Sequence, residues 1–207
     1  MRLPRSAYTA RSWRAHEVAG DFAVEDVWAL PTPGGRDDFG VLVEQMAGGD
    51  TAYRDGLVAR FLFAVRWKLG ALLRLDRDGD GVGTRVMSLR DRLPADLREG
   101  PQGPGFATLP FTSVFQTEDE WLAEMANRTV HGALHLGWVP DGTGVHRAQM
   151  TVLVKPNGPL GAAYMLGIKP FRYVGVYPAL LRSIGEEWEA RESRESRGPG
   201  AGKRGVA

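Results

Sequence analysis

Between Glu120 and Trp188 the apolar residues first recur at every second position and then at every third or fourth. The segments EWLAEMA, VHGALHLGWV and HRAQMTVLVK keep the two-residue rhythm, which sends successive side chains to opposite faces of a strand. One face collects Trp121, Ala123, Met125, Val130, Gly132, Leu134, Leu136 and Trp138, and the other collects Glu120, Glu124, His131 and His135. A two-residue turn at Asn127 and Arg128 places Met125 opposite Val130, Glu124 opposite His131 and Glu120 opposite His135. Setting Trp138 against Ala148 aligns Leu136 with Met150 and Leu134 with Val152, and puts Gln149, Thr151 and Lys155 on the polar face. The apolar face needs a cover. Leu160, Tyr164, Ile168, Phe171, Leu181, Ile184 and Trp188 have the spacing of a C-terminal helix that supplies one.

Upstream, DFAVEDVWAL over 21–30 alternates imperfectly and stops at Pro31, the pattern of a bulged strand. Asp37 and Asp38 then supply the cap and dipole chemistry for a helix bearing Phe39, Leu42, Val43 and Met46, which Gly48 and Gly49 terminate. A second helix is predicted over 51–75, followed by a glycine-rich, charged connector over 76–105 in which only SLRDRLPADL resembles an ordered turn. Connectors of that length often form lids or entrances. Residues 106–116 read as extended. The fold class is α+β, with one domain over 1–190 and a polar, disordered tail over 191–207.

Composition narrows the function. The 207 residues carry a net charge of +1, which gives no reason to expect a nucleic-acid partner, and the lack of cysteine removes disulfides, thiolate metal sites and cysteine nucleophiles. The most apolar run, FLFAVRWKLGALL, is broken by Arg66 and Lys68 and is too short to span a bilayer. No secretory signal follows the basic N-terminus, so a cytoplasmic location is expected.

Two clusters carry candidate chemistry. DRDGDG at 76–81 matches the first half of a calcium loop, but Met87 stands where the bidentate glutamate belongs, so a solvated acidic turn and no metal are expected. Glu120, Glu124, His131 and His135 can form two carboxylate–imidazole pairs suited to proton transfer, yet on a face opposite the apolar one they read first as an exposed cross-strand ladder. The apolar row is core, or the wall of a ligand cavity against the helix; the residues placed there are Trp121, Leu134, Leu136, Trp138, Met150, Val152, Tyr164 and Phe171. GxSxG, Walker A and HExxH motifs are absent, and no cofactor is expected.

The element order resembles the helix-grip fold of the START and Bet v 1-like (SRPBCC) superfamily. The segments LRDRLPADL, NRTVHGALHLGWVPDGTG and MTVLVKPNGPLGAAYM resemble the bacterial family called domain of unknown function 2867. That resemblance implies a fold and no catalytic residues. In some relatives a similar domain follows a nicotinamide-binding reductase domain, whose GxGxxG signature this chain lacks, so it implies at most a separate reductase as partner. The leading expectation is binding of a small apolar or amphipathic molecule between sheet and C-terminal helix. The alternative is a cyclase, hydratase or hydrolase using the Glu–His face.

Overall fold

Six antiparallel strands form one sheet: β1 (Arg2–Leu3), β2 (Ala23–Ala29), β3 (Thr112–Gln116), β4 (Glu120–Ala126), β5 (Val130–Pro140) and β6 (His146–Pro156), in the order β1-β2-β6-β5-β4-β3. The computed structural model describes residues 1–48, 82–83, 86–107, 109–127, 129–159, 161, 165 and 177–196. The helix expected over 51–75, the acidic loop at 76–81, and Tyr164 and Phe171 lie outside them. Helices α1 (Ser6–Thr9), α2 (Ala15–Ala19) and α4 (Ala95–Glu99), with a 3-10 turn at Leu89–Arg92, accompany the polar face. Helices α3 (Phe39–Gly48) and α5 (Tyr177–Ser196) pack on the apolar face.

The expected strand over 21–30 is β2, and its pairing with β6 shifts between Val24 and Asp26, as a bulge requires. Helix α3 buries Phe39, Leu42, Val43 and Ala47, and the Asp38 carboxylate accepts the Gly35 N–H at 2.7 Å to close the 3-10 turn at Arg36–Asp38 that leads into it. Strands β5 and β6 pair in the expected register, Trp138 with Ala148, Leu136 with Met150 and Leu134 with Val152. The β4–β5 register differs by two residues, so Met125 faces Gly132, Glu124 faces Ala133 and Glu120 faces Gly137. The reason lies in the turn. Asn127 Oδ1 accepts from Thr129 N, Thr129 Oγ1 and Val130 N, an Asx turn that takes Thr129 out of the ladder. A shift of two preserves parity, and every side chain keeps its face.

Trp121, Leu136 and Met150 on the apolar face are almost wholly buried together with Ile184 and Trp188 of α5. Burying each such side chain is worth about 1.5–3 kcal/mol. Polar groups fix the helix in place: Tyr177 donates to Asp26 Oδ2 at 2.8 Å and Trp188 Nε1 to the Pro33 carbonyl at 2.8 Å. Helix α5 continues past Trp188 to Ser196, into the stretch whose composition predicts a disordered tail. Glutamate, alanine and arginine are good helix formers, and the Arg191 guanidinium lies 4.3 Å from the Trp188 ring centroid.

The edge strand β3 is shielded. Gln116 N donates to the Pro101 carbonyl at 2.8 Å, and Gln102 Nε2 and Arg90 reach the carbonyls of Ser113 and Val114. These contacts occupy groups that would otherwise pair with another chain. Gly103, at φ +92°, sits where a Cβ would lie 2.7 Å from the Trp121 indole nitrogen, so the passage of this segment over the sheet depends on glycine.

Candidate functional site

The polar face is not exposed. Glu120, Glu124, His131 and His135 are each at most 2% accessible, which overturns the expected solvent-facing ladder. Their cover is the N-terminal segment with Tyr8, Trp13, Ala15, Val18 and Phe22, together with Leu89, Leu93 and Leu97 from the far end of the connector. That end of the connector is therefore a packed layer and not a lid. The signal in the sequence was the spacing of Leu89, Leu93 and Leu97 and the apolar residues scattered among the N-terminal arginines.

The two predicted carboxylate–imidazole pairs form, each along a diagonal of the ladder. Glu124 Oε2 lies 2.7 Å from His131 Nε2, and Glu120 Oε1 lies 3.1 Å from His135 Nε2. Each carboxylate also ends a helical turn from the covering layer. Glu120 accepts the main-chain N–H groups of Arg14 (2.8 Å) and Ala15 (2.7 Å) at the start of α2. Glu124 accepts the Ser88 hydroxyl at 2.5 Å and the Leu89 N–H at 3.0 Å at the start of the 3-10 turn. Burial would raise the Glu124 pKa, but the hydrogen bonds from His131, Ser88 and Leu89 outweigh it and hold the carboxyl below its usual range. The pairs thus act as clasps between sheet and cover, with their oxygens committed to fixed donors.

Aromatic rings enclose the imidazoles. His135 lies against Tyr8 and Trp13 at centroid distances of 5.2 and 5.0 Å, and His131 against Phe22 at 4.9 Å. Burial, then the charge of Glu120, pushes the Tyr8 phenol well above its ordinary value, so it stays neutral. His16, stacked edge-on to Tyr8, is held below its usual pKa by burial and by His135, with Glu120 opposing.

The apolar row divides. Trp121, Leu136, Met150 and Trp138 are buried, Leu134 and Val152 are half-buried neighbours further along the strands, and Trp138, 3% exposed, also borders an open cleft of about 600 Å³. Arg36, Asp37, Glu118, Asp119 and His146 also line this cleft. Trp138 holds both of its walls: its indole N–H donates to the Gly35 carbonyl at 2.9 Å, and its main-chain N–H to the Asp119 carbonyl at 2.7 Å. The His146 ring stacks near Trp138, 16° from parallel at 6.2 Å. Sequence patterning missed this cleft because its rim comes from two turns far apart in the chain. Among the described residues no group of three or more acidic or histidine side chains could hold a metal ion, and no helix is long and apolar enough to cross a membrane.

Residues 18–179 match the family model described as "Protein of unknown function (DUF2867)", and the chain belongs to that family. No curated protein and no solved structure matches it.

Proposed function

We propose that this DUF2867 member is a non-catalytic binding protein for a small amphipathic molecule, taken up in the cleft beside Trp138. The observation that carries this reading is the cleft itself. Its volume of about 600 Å³ falls in the range of small-molecule sites, and it sets an aromatic wall of Trp138 and His146 beside a rim of Arg36, Asp37, Glu118 and Asp119. An apolar body with a charged or polar end suits that lining. We read the architecture as helix-grip in type, with α5 lying across the apolar face as the gripped helix. Of the apolar row, Trp138 is the ligand contact, while Trp121, Leu136 and Met150 tie the sheet to α3 and α5. Catalysis by the Glu–His face is the weaker reading, because both carboxylates are buried and engaged by main-chain donors.

Gly40 provides the test. It lines the cleft, and a Cβ there would meet nothing within 4 Å, so Gly40→Gln plugs the cleft without disturbing the core. In a helix the exchange is also favourable by up to about 1 kcal/mol. Titration with the amphipathic dye 1-anilinonaphthalene-8-sulfonate and with the cationic dye thioflavin T, followed by fluorescence, should give saturable binding of at least one. That binding should weaken at least tenfold in Gly40→Gln, with an unchanged or raised melting temperature. Equal affinity in wild type and variant rules the cleft out.

A further inference from the structure

The two walls of the cleft beside Trp138 differ in charge. One is the 3-10 turn at Arg36–Asp38, continued by Gly40, where Arg36 and Asp37 carry opposite signs. The other is the β3–β4 turn, which brings Thr117, Glu118 and Asp119 to the cleft. Neither of its two carboxylates makes an ion pair among the described residues: Asp119 Oδ1 accepts the Thr117 hydroxyl at 3.1 Å, and Glu118 points to solvent without a partner. The backbone of both walls is fixed. The Trp138 indole and main-chain N–H groups hold Gly35 and Asp119, and Gly34 exchanges main-chain hydrogen bonds of 3.0 and 2.9 Å with His146.

Three carboxylates therefore line the cleft against one guanidinium, and the lining is negative whether or not the His146 imidazole carries a proton. A cleft with an excess of one sign concentrates that field and draws in the opposite charge. The carboxylates are spread around the opening: among the described residues no three acidic or histidine side chains converge as metal ligands would. A spread of negative charge over a space of about 600 Å³ suits a larger cation carried on a carbon body. Building on the reading of this cleft as a small-molecule site, we propose that its ligand is an organic cation, an amine or quaternary ammonium on an apolar body. The body lies against Trp138, Pro140 and His146, and the cationic end lies at Glu118 and Asp119.

A matched set of probes isolates the charge. The compounds 4-phenylbutylamine, 4-phenylbutyrate and 4-phenylbutanol share one body, and at neutral pH the first is cationic, the second anionic and the third uncharged. Each is titrated into the nitrogen-15-labelled full chain and followed by NMR at the Gly40 amide and the Trp138 indole N–H. The amine should bind about fivefold tighter than the butyrate, the size expected when an exposed ion pair replaces a like-charge contact, with the alcohol between them. Raised salt should narrow the gap. Glu118→Lys, at an exposed turn position, balances the charges of the lining and should abolish the preference while the amide spectrum stays that of the folded protein. Butyrate binding in the cleft as tightly as the amine overturns the cationic assignment and leaves the cleft an amphipathic site. A folded Glu118→Lys that keeps the full preference overturns the assignment as well. If none of the three probes shifts the cleft signals, the small-molecule reading falls and the cation with it. Should Glu118→Lys not fold, the wild-type ranking decides.

Discussion

Both faces of the sheet are covered, by different means. The apolar face meets α3 and α5 mainly through the packing of Trp121, Leu136, Met150 and Trp188, with single hydrogen bonds from the two indole N–H groups to Ser113 and Pro33. The polar face meets a layer assembled from the first 22 residues and from residues 89–97, and between its apolar contacts it buries two carboxylates and two imidazoles. Apolar contacts tolerate some sliding, whereas a carboxylate that must receive particular main-chain N–H groups does not. The difference suggests a division of labour in which the apolar face supplies most of the stabilisation and the polar face fixes where short elements dock. Helices as short as α2 and α4 cannot persist alone in water, so their order depends on this docking.

The largest expected effect breaks a clasp. Glu124→Ala leaves the Leu89 N–H, the Ser88 hydroxyl and His131 without their buried partner, and should cost about 3–5 kcal/mol in denaturant unfolding. A solvent-facing ladder would lose about 1 kcal/mol or less, so the measurement separates the two pictures. Hydrogen exchange should show residues 88–93 losing protection before β5 does.

Next in size is a steric wedge under the same layer. A Cβ on Gly137 would stand 2.4 Å from the Trp13 ring, so Gly137→Ala must push the tryptophan outward, at about 1–3 kcal/mol. On the apolar face, by contrast, helices α3 and α5 should remain in place, with the Trp188 environment unchanged by near-ultraviolet circular dichroism.

A pH titration sharpens the comparison further. The folded Glu124 carboxyl has a pKa below its usual value, so its contribution is fully present above about pH 4.5 and is lost as the pH falls through the lower folded value. Acid should therefore loosen the polar face first. Replacing Glu124 with glutamine should flatten that part of the stability profile. An unchanged acid limb in Glu124→Gln assigns the acid sensitivity to other carboxylates.

How much of this was legible in the chain follows the same division. Strict alternation in β4, β5 and β6 showed which residues share a face, and the aligned Trp138, Leu136 and Leu134 set the β5–β6 register. The β4–β5 register was not legible because Asn127 can close either a two-residue turn or the wider Asx turn that forms. The burial of Glu120 and Glu124 was illegible for a deeper reason. Alternation reports polarity, and polarity implies exposure only when nothing distant supplies donors; here the donors are backbone groups of Arg14, Ala15 and Leu89, which no side-chain pattern records. The pairing of Glu124 with His131 and of Glu120 with His135 was anticipated even so, because a two-residue shift turns facing neighbours into diagonal ones that still touch.

The smallest effect belongs to the rim of the polar face, where the layer meets solvent. Asp21 receives Lys155 Nζ and Arg92 at 2.7 Å each, joining the α2–β2 turn to β6 and to the 3-10 turn at Leu89–Arg92. These contacts overcome the effect of burial and lower the Asp21 pKa to about 2. Its contribution to stability is therefore present above the ordinary aspartate value of 3.8 and disappears as the pH falls toward about 2. Like Glu124, Asp21 ties the layer to the sheet, but its donors are two side-chain cations and its surroundings are open: the Asp21 side chain is 43% exposed and that of Lys155 46%. Water and salt screen such a pair, so Lys155→Met should cost only about 0.2–1 kcal/mol, shrinking further in 0.5 M salt. A double-mutant cycle with Asp21→Asn isolates the coupling from the loss of either charge alone. A coupling above about 2 kcal/mol, undiminished by salt, would mean that the rim and not the buried clasps fixes the layer, and the ranking of the two regions would have to be reversed.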